Sequence, residues 1–160
     1  ISSAGKTFSV TGWKVGWVCA APPLLDAVLT VKQFLTYVNG APFQPAVAVG
    51  LDLDDEEYER LRSRLQQGRD ILVDGLVAAG FSVSQPRGTY FVVVDAAPLG
   101  FEDGRELCLR LPELAGLVAV PVSAFHEDAA RARSLVRFAF CKRREVLEEA
   151  SARLRRLSSR

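Results

Sequence analysis

The chain is predicted to be an α/β protein, on three patterns. A long helical stripe of Tyr58, Leu61, Leu65, Leu72 and Leu76 runs between the acidic cluster Asp54, Asp55, Glu56, Glu57 and the breaker Gly80. A two-strand pattern around the turn Gln85-Pro86-Arg87-Gly88 follows it. The remainder alternates helical and extended periodicity up to a last amphipathic helix at residues 143–157.

Taken in order, residues 7–20 mix β-branched and aromatic residues with Gly12 and Gly16, which predicts two short strand pieces bent around turns and places Lys6 on a loop between strands. Pro22 and Pro23 suit a first helical turn. Leu24, Leu25, Val28, Val31, Leu35 and Val38 then keep helical spacing up to Asn39-Gly40. Residues 41–49 predict a short apolar helix starting near Pro42. The acidic cluster at residues 54–57 suits the positive end of a helix dipole, which starts the long helix there. Residues 81–84 and 89–95 form the predicted hairpin, and the second strand is so continuously apolar that it predicts burial on both faces. A short helix at 103–111, strands at 117–122 and 135–140, and the last helix complete the pattern.

Composition narrows the partners. The 160 residues are 49% hydrophobic and 24% charged, enough for one ordinary core. Twenty basic against nineteen acidic residues leave a net charge of +1, no basis for a nucleic-acid groove or an anionic membrane surface. The basic run Arg153, Arg155, Arg156, Arg160 is interleaved with Leu154 and Leu157 and preceded by Glu145, Glu148 and Glu149, the pattern of a solvated helix face. No apolar stretch reaches the roughly 18 residues of a membrane span. Cys19, Cys108 and Cys141 are odd in number and set in apolar runs, which predicts reduced thiols and a cytoplasmic protein, with neither a disulfide nor a zinc site. His126 stands alone, with no ligand-spaced partner, and is assigned neither metal nor catalysis.

The most informative tract is Ser3-Ala4-Gly5-Lys6-Thr7-Phe8-Ser9-Val10-Thr11-Gly12-Trp13-Lys14-Val15-Gly16-Trp17, a lone lysine on a Ser/Gly turn with a second cation eight positions on. Ser3-Ala4-Gly5-Lys6 also satisfies S-x-x-K, and Gly5-Lys6-Thr7 satisfies the end of a P-loop. Both need a helix carrying or following the lysine, and Thr7, Phe8, Val10, Thr11 and Gly12 are poor helix residues. No S-D-N or K-T-G lies downstream. Neither reading explains Thr11-Gly12-Trp13-Lys14-Val15-Gly16-Trp17.

The whole tract resembles the cofactor-lysine segment of fold-type I pyridoxal-phosphate aminotransferases, in the class I/II branch that holds the N-succinyldiaminopimelate and kynurenine aminotransferases. The resemblance extends through Leu117-Val118-Ala119-Val120-Pro121-Val122-Ser123-Ala124-Phe125 to the last helix. It implies the C-terminal part of such an enzyme: residues 1–50 from the end of the cofactor-binding large domain, 51–80 a connecting long helix, and 81–160 the small domain. The motif opens almost at residue 1 and the sequence has no Met, so the chain is expected to be the back part of a longer protein and inactive alone.

The resemblance also implies roles. Lys6 is the catalytic residue, since an aldehyde cofactor demands a primary amine, and the amine released by an incoming amino acid becomes a base beside the substrate Cα. Ser3 and Lys14 match the positions that hold the cofactor phosphate; many relatives carry Arg where Lys14 stands, so a point charge here replaces a planar fork. Arg137, which interrupts the apolar run Leu135-Val136-Arg137-Phe138-Ala139-Phe140, matches the residue that clamps the substrate carboxylate, against the alternative of an ion pair with an acidic neighbour. Gly88-Thr89-Tyr90-Phe91 resembles a strand that walls the pocket, with core packing the expected role of Tyr90 and Phe91. Phe125 is a pocket candidate, and the loop Asn39-Gly40-Ala41-Pro42 resembles one that approaches a neighbouring subunit. The implied activity is amino transfer between an amino acid, with N-succinyldiaminopimelate favoured, and a 2-oxo acid such as 2-oxoglutarate, by a homodimer using pyridoxal 5'-phosphate in amino-acid metabolism. The alternatives are a cysteine-conjugate β-lyase and a non-catalytic folding or dimerisation piece.

Overall fold

The computed structural model describes residues 1–38 and 40–157; Asn39, in the 39–42 loop, and Arg160, in the basic run, lie outside the described residues. The chain forms two compact units, Ile1–Tyr58 and Glu59–Arg160.

In the first unit, β1 (Ser2–Ser3) pairs antiparallel with β2 (Gly16–Trp17), Ser2 opposite Trp17 and Ser3 opposite Gly16. Gly16 is required there, because a Cβ would stand 2.7 Å from the Ser2 carbonyl oxygen. Between the strands lie the one-turn helix α1 (Ala4–Thr7) and a 3-10 turn at Thr11–Trp13. Lys6 is therefore helical rather than on a loop, and residues 7–20 contain one two-residue strand rather than two strand pieces. The reason is backbone handedness: Ser9 and Lys14 have φ of 59° and 56°, left-handed values that a continuous strand does not accept.

Helix α2 (Pro22–Leu35) starts at the prolines and stops short of Val38, where Tyr37 turns left-handed at φ 56°. It buries none of its residues, so its predicted apolar stripe is an exposed one. A 3-10 turn (Ala41–Phe43) leads into α3 (Gln44–Leu51). Ala4, Val15 and Val47 form the small core of this unit, with Phe8, Val10, Trp13 and Trp17 packed around it. Trp13 stacks on Phe43 at 4.7 Å between centroids, and the Tyr58 hydroxyl donates to the Gly50 carbonyl at 2.8 Å.

The long helix α4 (Asp55–Ala78) carries three carboxylates in its first turn. In the second unit its C-terminal part packs with α5 (Gly104–Ala115) and α6 (Arg144–Arg155) on one face of a four-stranded antiparallel sheet. The strands are β3 (Ser82–Ser84), β4 (Phe91–Asp95), β5 (Val120–Pro121) and β6 (Leu135–Ala139), in the order β3-β4-β6-β5. Leu72, Leu76, Leu107, Leu111, Leu147 and Leu154 meet Val92, Val94, Val136 and Phe138 in the core. Each such side chain contributes roughly 1.5–3 kcal/mol by leaving water. Gly75 lets α4 and α6 approach so closely that a Cβ would stand 2.7 Å from Ser151 Cα.

Three expectations change here. Strand β4 is buried on one face only: Val92 and Val94 face the helices, whereas Phe91, Val93 and Asp95 are half-buried on the other side. Helix α5 passes through Pro112 to Ala115, because Leu111 is buried and Leu114 and Ala115 pack against the same core. The 117–122 strand shrinks to Val120 and Pro121, and Leu117 and Ala119 pack on the core instead of joining the ladder.

Candidate active site

The sequence-predicted site residues fall in two groups, one in each unit. In the first, the turn bearing Lys6 is folded against the segment bearing Lys14, since the Ala4 N–H donates to the Val15 carbonyl at 3.0 Å. The Thr11 hydroxyl donates to the Gly5 carbonyl at 3.1 Å, and the Thr7 hydroxyl to the Ser3 carbonyl at 3.3 Å. Gly5 makes this closure possible, because a Cβ there would meet Thr11 Cα at 3.0 Å and Ser3 Oγ at 3.4 Å. Ala4 and Gly5 are buried while Ser3, Lys6 and Lys14 are exposed, so the turn is anchored by its small residues and displays its polar ones.

Ser3 precedes α1 in extended conformation, yet its hydroxyl does not cap the helix. Lys14 ends the 3-10 turn in the left-handed region, a conformation that costs a residue with a Cβ of order 1 kcal/mol. A hydroxyl, an ammonium and a primary amine on one folded-back segment are groups that fit a phosphate dianion and an aldehyde. The lysine being helical removes the propensity argument against an S-x-x-K reading. What still stands against that reading is the lack of the partner motifs and the family match given below.

In the second unit, Arg137 lies at the middle of β6, opposite Val93 of β4 and Val120 of β5. Alternation along β6 turns Val136 and Phe138 into the core and Arg137 onto the other face, where it is half-buried. Its Nε is fully buried and has no hydrogen-bond partner among the described residues. Its Cζ stands 3.9 Å from the ring centroid of Phe91 and 4.4 Å from that of Phe125. Asp95, the acid on neighbouring β4, is engaged elsewhere: the Ala97 N–H donates to it at 3.0 Å, and with the Ser134 hydroxyl this holds its carboxyl below the usual carboxylate range.

Other arginines behave differently. Arg69 donates from Nε to Asp70 at 2.8 Å and from Nη1 to the Pro86 carbonyl at 3.1 Å, tying the hairpin turn to α4. Arg144 and Arg153 pair with Glu148 and Glu149 one turn away on α6, each at 2.7 Å, as a solvated helix face does. His126 is exposed after the 3-10 turn Val122–Phe125. Cys19 and Cys141 are exposed free thiols, whereas burial, and then the Asp103 charge, push the Cys108 thiol up to about 11. Among the described residues no three metal-ligating side chains cluster, and no helix is long and apolar enough to cross a membrane.

Phe91 is the residue whose contact departs from the sequence reading. Tyr90 packs against the core as expected, but Phe91 points to the opposite face and meets Arg137. The period-2 alternation through buried Val92 is the signal that separates the two.

The family described as Aminotransferase class I and II matches residues 1–154. A probable N-succinyldiaminopimelate aminotransferase, DapC, of Mycobacterium tuberculosis is 48% identical over 100% of this chain and 42% of its own length. The methionine aminotransferase of Escherichia coli is 37% identical over 98% of this chain and 40% of its own. The solved N-succinyldiaminopimelate aminotransferase of M. tuberculosis superposes with a TM-score of 0.88 at 49% identity, over 97% of this chain and 40% of that one. The chain thus spans about two fifths of the length of these relatives, and its mixed α/β architecture is that of the corresponding part of fold-type I aminotransferases. The chain belongs to the class I and II aminotransferase family.

Proposed function

We propose that the polypeptide carrying this chain is a pyridoxal-phosphate-dependent aminotransferase that moves an amino group between an amino acid and a 2-oxo acid. The observation that supports the reading is the backbone closure, Ala4 N–H to the Val15 carbonyl, that folds the segment bearing Lys14 against the turn bearing Ser3 and Lys6, all three of them exposed. When bound, the cofactor supplies an aldehyde and an electron-withdrawing ring that acidifies the Cα–H of an attached amino acid. Lys6 Nζ would hold the cofactor through its primary amine and, as a free amine, would take the proton from the substrate Cα. The Ser3 hydroxyl and the Lys14 ammonium hold the phosphate. Arg137 grips the carboxylate shared by donor and acceptor, and the lack of any carboxylate partner for its guanidinium among the described residues supports that role.

N-succinyldiaminopimelate is the donor we favour, supported by 48% identity to a probable aminotransferase of that name, with 2-oxoglutarate as acceptor and lysine biosynthesis as the context. Residues 1–50 are assigned to the cofactor-binding domain, 51–80 to a connecting helix and 81–160 to the small domain of a homodimeric cytoplasmic enzyme. The 160 residues alone are expected to give no turnover.

The test uses a polypeptide of the relatives' full length with added pyridoxal phosphate. Borohydride reduction followed by peptide mass analysis is expected to find the adduct on Lys6, and Lys6→Ala is expected to abolish both adduct and amino transfer. An adduct on another lysine, or full activity in Lys6→Ala, overturns the proposal. Free ammonia in place of a transferred amine indicates β-elimination.

A further inference from the structure

The Arg137 site departs from the usual state of a partly buried arginine. A half-buried guanidinium is ordinarily pinned by a carboxylate or by carbonyls, as Arg69 on α4 is by Asp70 and Pro86. Arg137 has a buried, unbonded Nε, and no carboxylate pairs with it among the described residues. What it has is two aromatic rings at 3.9 and 4.4 Å from Cζ. Those rings reach it from both sides of β6. Phe91 starts β4 two residues from Val93, the partner of Arg137, and so shares its face of the sheet. Phe125 ends the 3-10 turn that follows β5, the strand on the other flank.

The chemistry of the two kinds of partner differs. A carboxylate consumes the guanidinium's N–H groups, which lie in the plane of the group. A ring approaches the cation through its π face, stabilises the positive charge and accepts none of those in-plane bonds. Two rings therefore fix the orientation of the guanidinium and leave its Nη1/Nη2 edge, the part that is not buried, to an outside planar anion. Arg110 provides the contrast within this chain: one ring, Phe101, at 5.3 Å, and its Nη1 already bonded to Glu106.

We propose that Phe91 and Phe125 are positioning residues that together form an aromatic seat for Arg137, orienting its guanidinium edge toward a substrate carboxylate. This rests on the reading of Arg137 given above. Phe125 is the separable half of the seat, since it is 61% exposed and outside the core, so its replacement tests orientation without disturbing the fold.

The experiment compares Phe125→Leu, Phe125→Tyr and Arg137→Met in the full-length enzyme, measuring KM and kcat for donor and for 2-oxo acid together with the melting temperature. Phe125→Leu is expected to raise KM for both substrates roughly tenfold, with kcat and melting temperature near the parent values. Phe125→Tyr, which keeps the ring, is expected to restore KM. An unchanged KM in Phe125→Leu, equal defects in the Leu and Tyr variants, or a fall in kcat accompanied by melting overturns the seat. If Arg137→Met raises KM while Phe125→Leu does not, the seat alone falls. If Arg137→Met also leaves KM unchanged, the reading of Arg137 falls with it.

Discussion

Replacing Arg137 by Met is predicted to split stability from ligand affinity. The substitution removes two cation–π contacts, worth about 0.5–2 kcal/mol each. It also removes a buried donor without a partner, whose presence costs about 1–3 kcal/mol. Met keeps an unbranched stem to fill the same groove between the rings. The two terms, about 1–4 and about 1–3 kcal/mol, oppose, and at mid-range they cancel to within about 1 kcal/mol, a shift of about 8 °C or less in the melting of a unit of this size. Carboxylate binding has no such compensation. Two charge-assisted hydrogen bonds at about 1.5–3 kcal/mol each, discounted for a half-exposed site, leave about 2–4 kcal/mol, or roughly 30- to 700-fold in affinity. Urea unfolding of the 160-residue chain reads the first quantity, and competitive inhibition of the full-length enzyme by a simple carboxylate reads the second. A loss of more than about 3 kcal/mol in unfolding with unchanged inhibition makes Arg137 a structural residue and refutes the reasoning.

Further predictions concern the scaffold. Gly75→Ala is expected to destabilise by about 1–3 kcal/mol despite the better helix propensity of Ala, because the new methyl meets Ser151 backbone at 2.7 Å; a raised urea midpoint overturns the close α4–α6 approach. Leu76→Ala, at a fully buried position, is expected to cost about 2–5 kcal/mol in the same assay. Asp103→Ala removes the carboxylate that accepts the Arg105 N–H at 2.8 Å at the start of α5, with an expected loss of about 1 kcal/mol, recovered in part by Asp103→Ser. Cys108 stays protonated in the folded chain up to about pH 11 while an unfolded thiol ionises near 9.0, so its contribution is intact below 9.0 and declines as pH rises toward about 11. Iodoacetamide at neutral pH is expected to label Cys19 and Cys141 and to spare Cys108 until urea is added, as read by peptide mass.

Legibility followed the length of the pattern. Helix α4, strand β6 and helix α6 were readable because several turns or alternations repeat the same signal, and their observed limits fall within a few residues of the expected ones. Helix α1 was not, because four residues contain no period. Its shape comes from the room left by Gly5 and from the Thr11 hydroxyl reaching back to the Gly5 carbonyl, both contacts beyond nearest neighbours. In α2 the periodicity predicts the helix that is observed, yet a stripe in sequence does not say what covers it. Ser3, Lys6, Lys14 and Arg137 were singled out through residue type and motif. The convergence of Phe91 and Phe125 on Arg137 is not legible in the sequence, since the two lie on separate elements, β4 and the turn after β5, that flank β6.

Helix α2 also bears on how such a polypeptide behaves in a tube. Fourteen residues are near the length at which a lone helix barely holds together in water, and this one turns Leu24, Leu29, Phe34 and Leu35 outward. Left bare, it acts as a small surfactant, adsorbing to plastic and to air bubbles, and drawing molecules into soluble clumps as concentration rises. Mild detergent, low protein concentration and gentle mixing are therefore the conditions under which the 160 residues should stay dispersed.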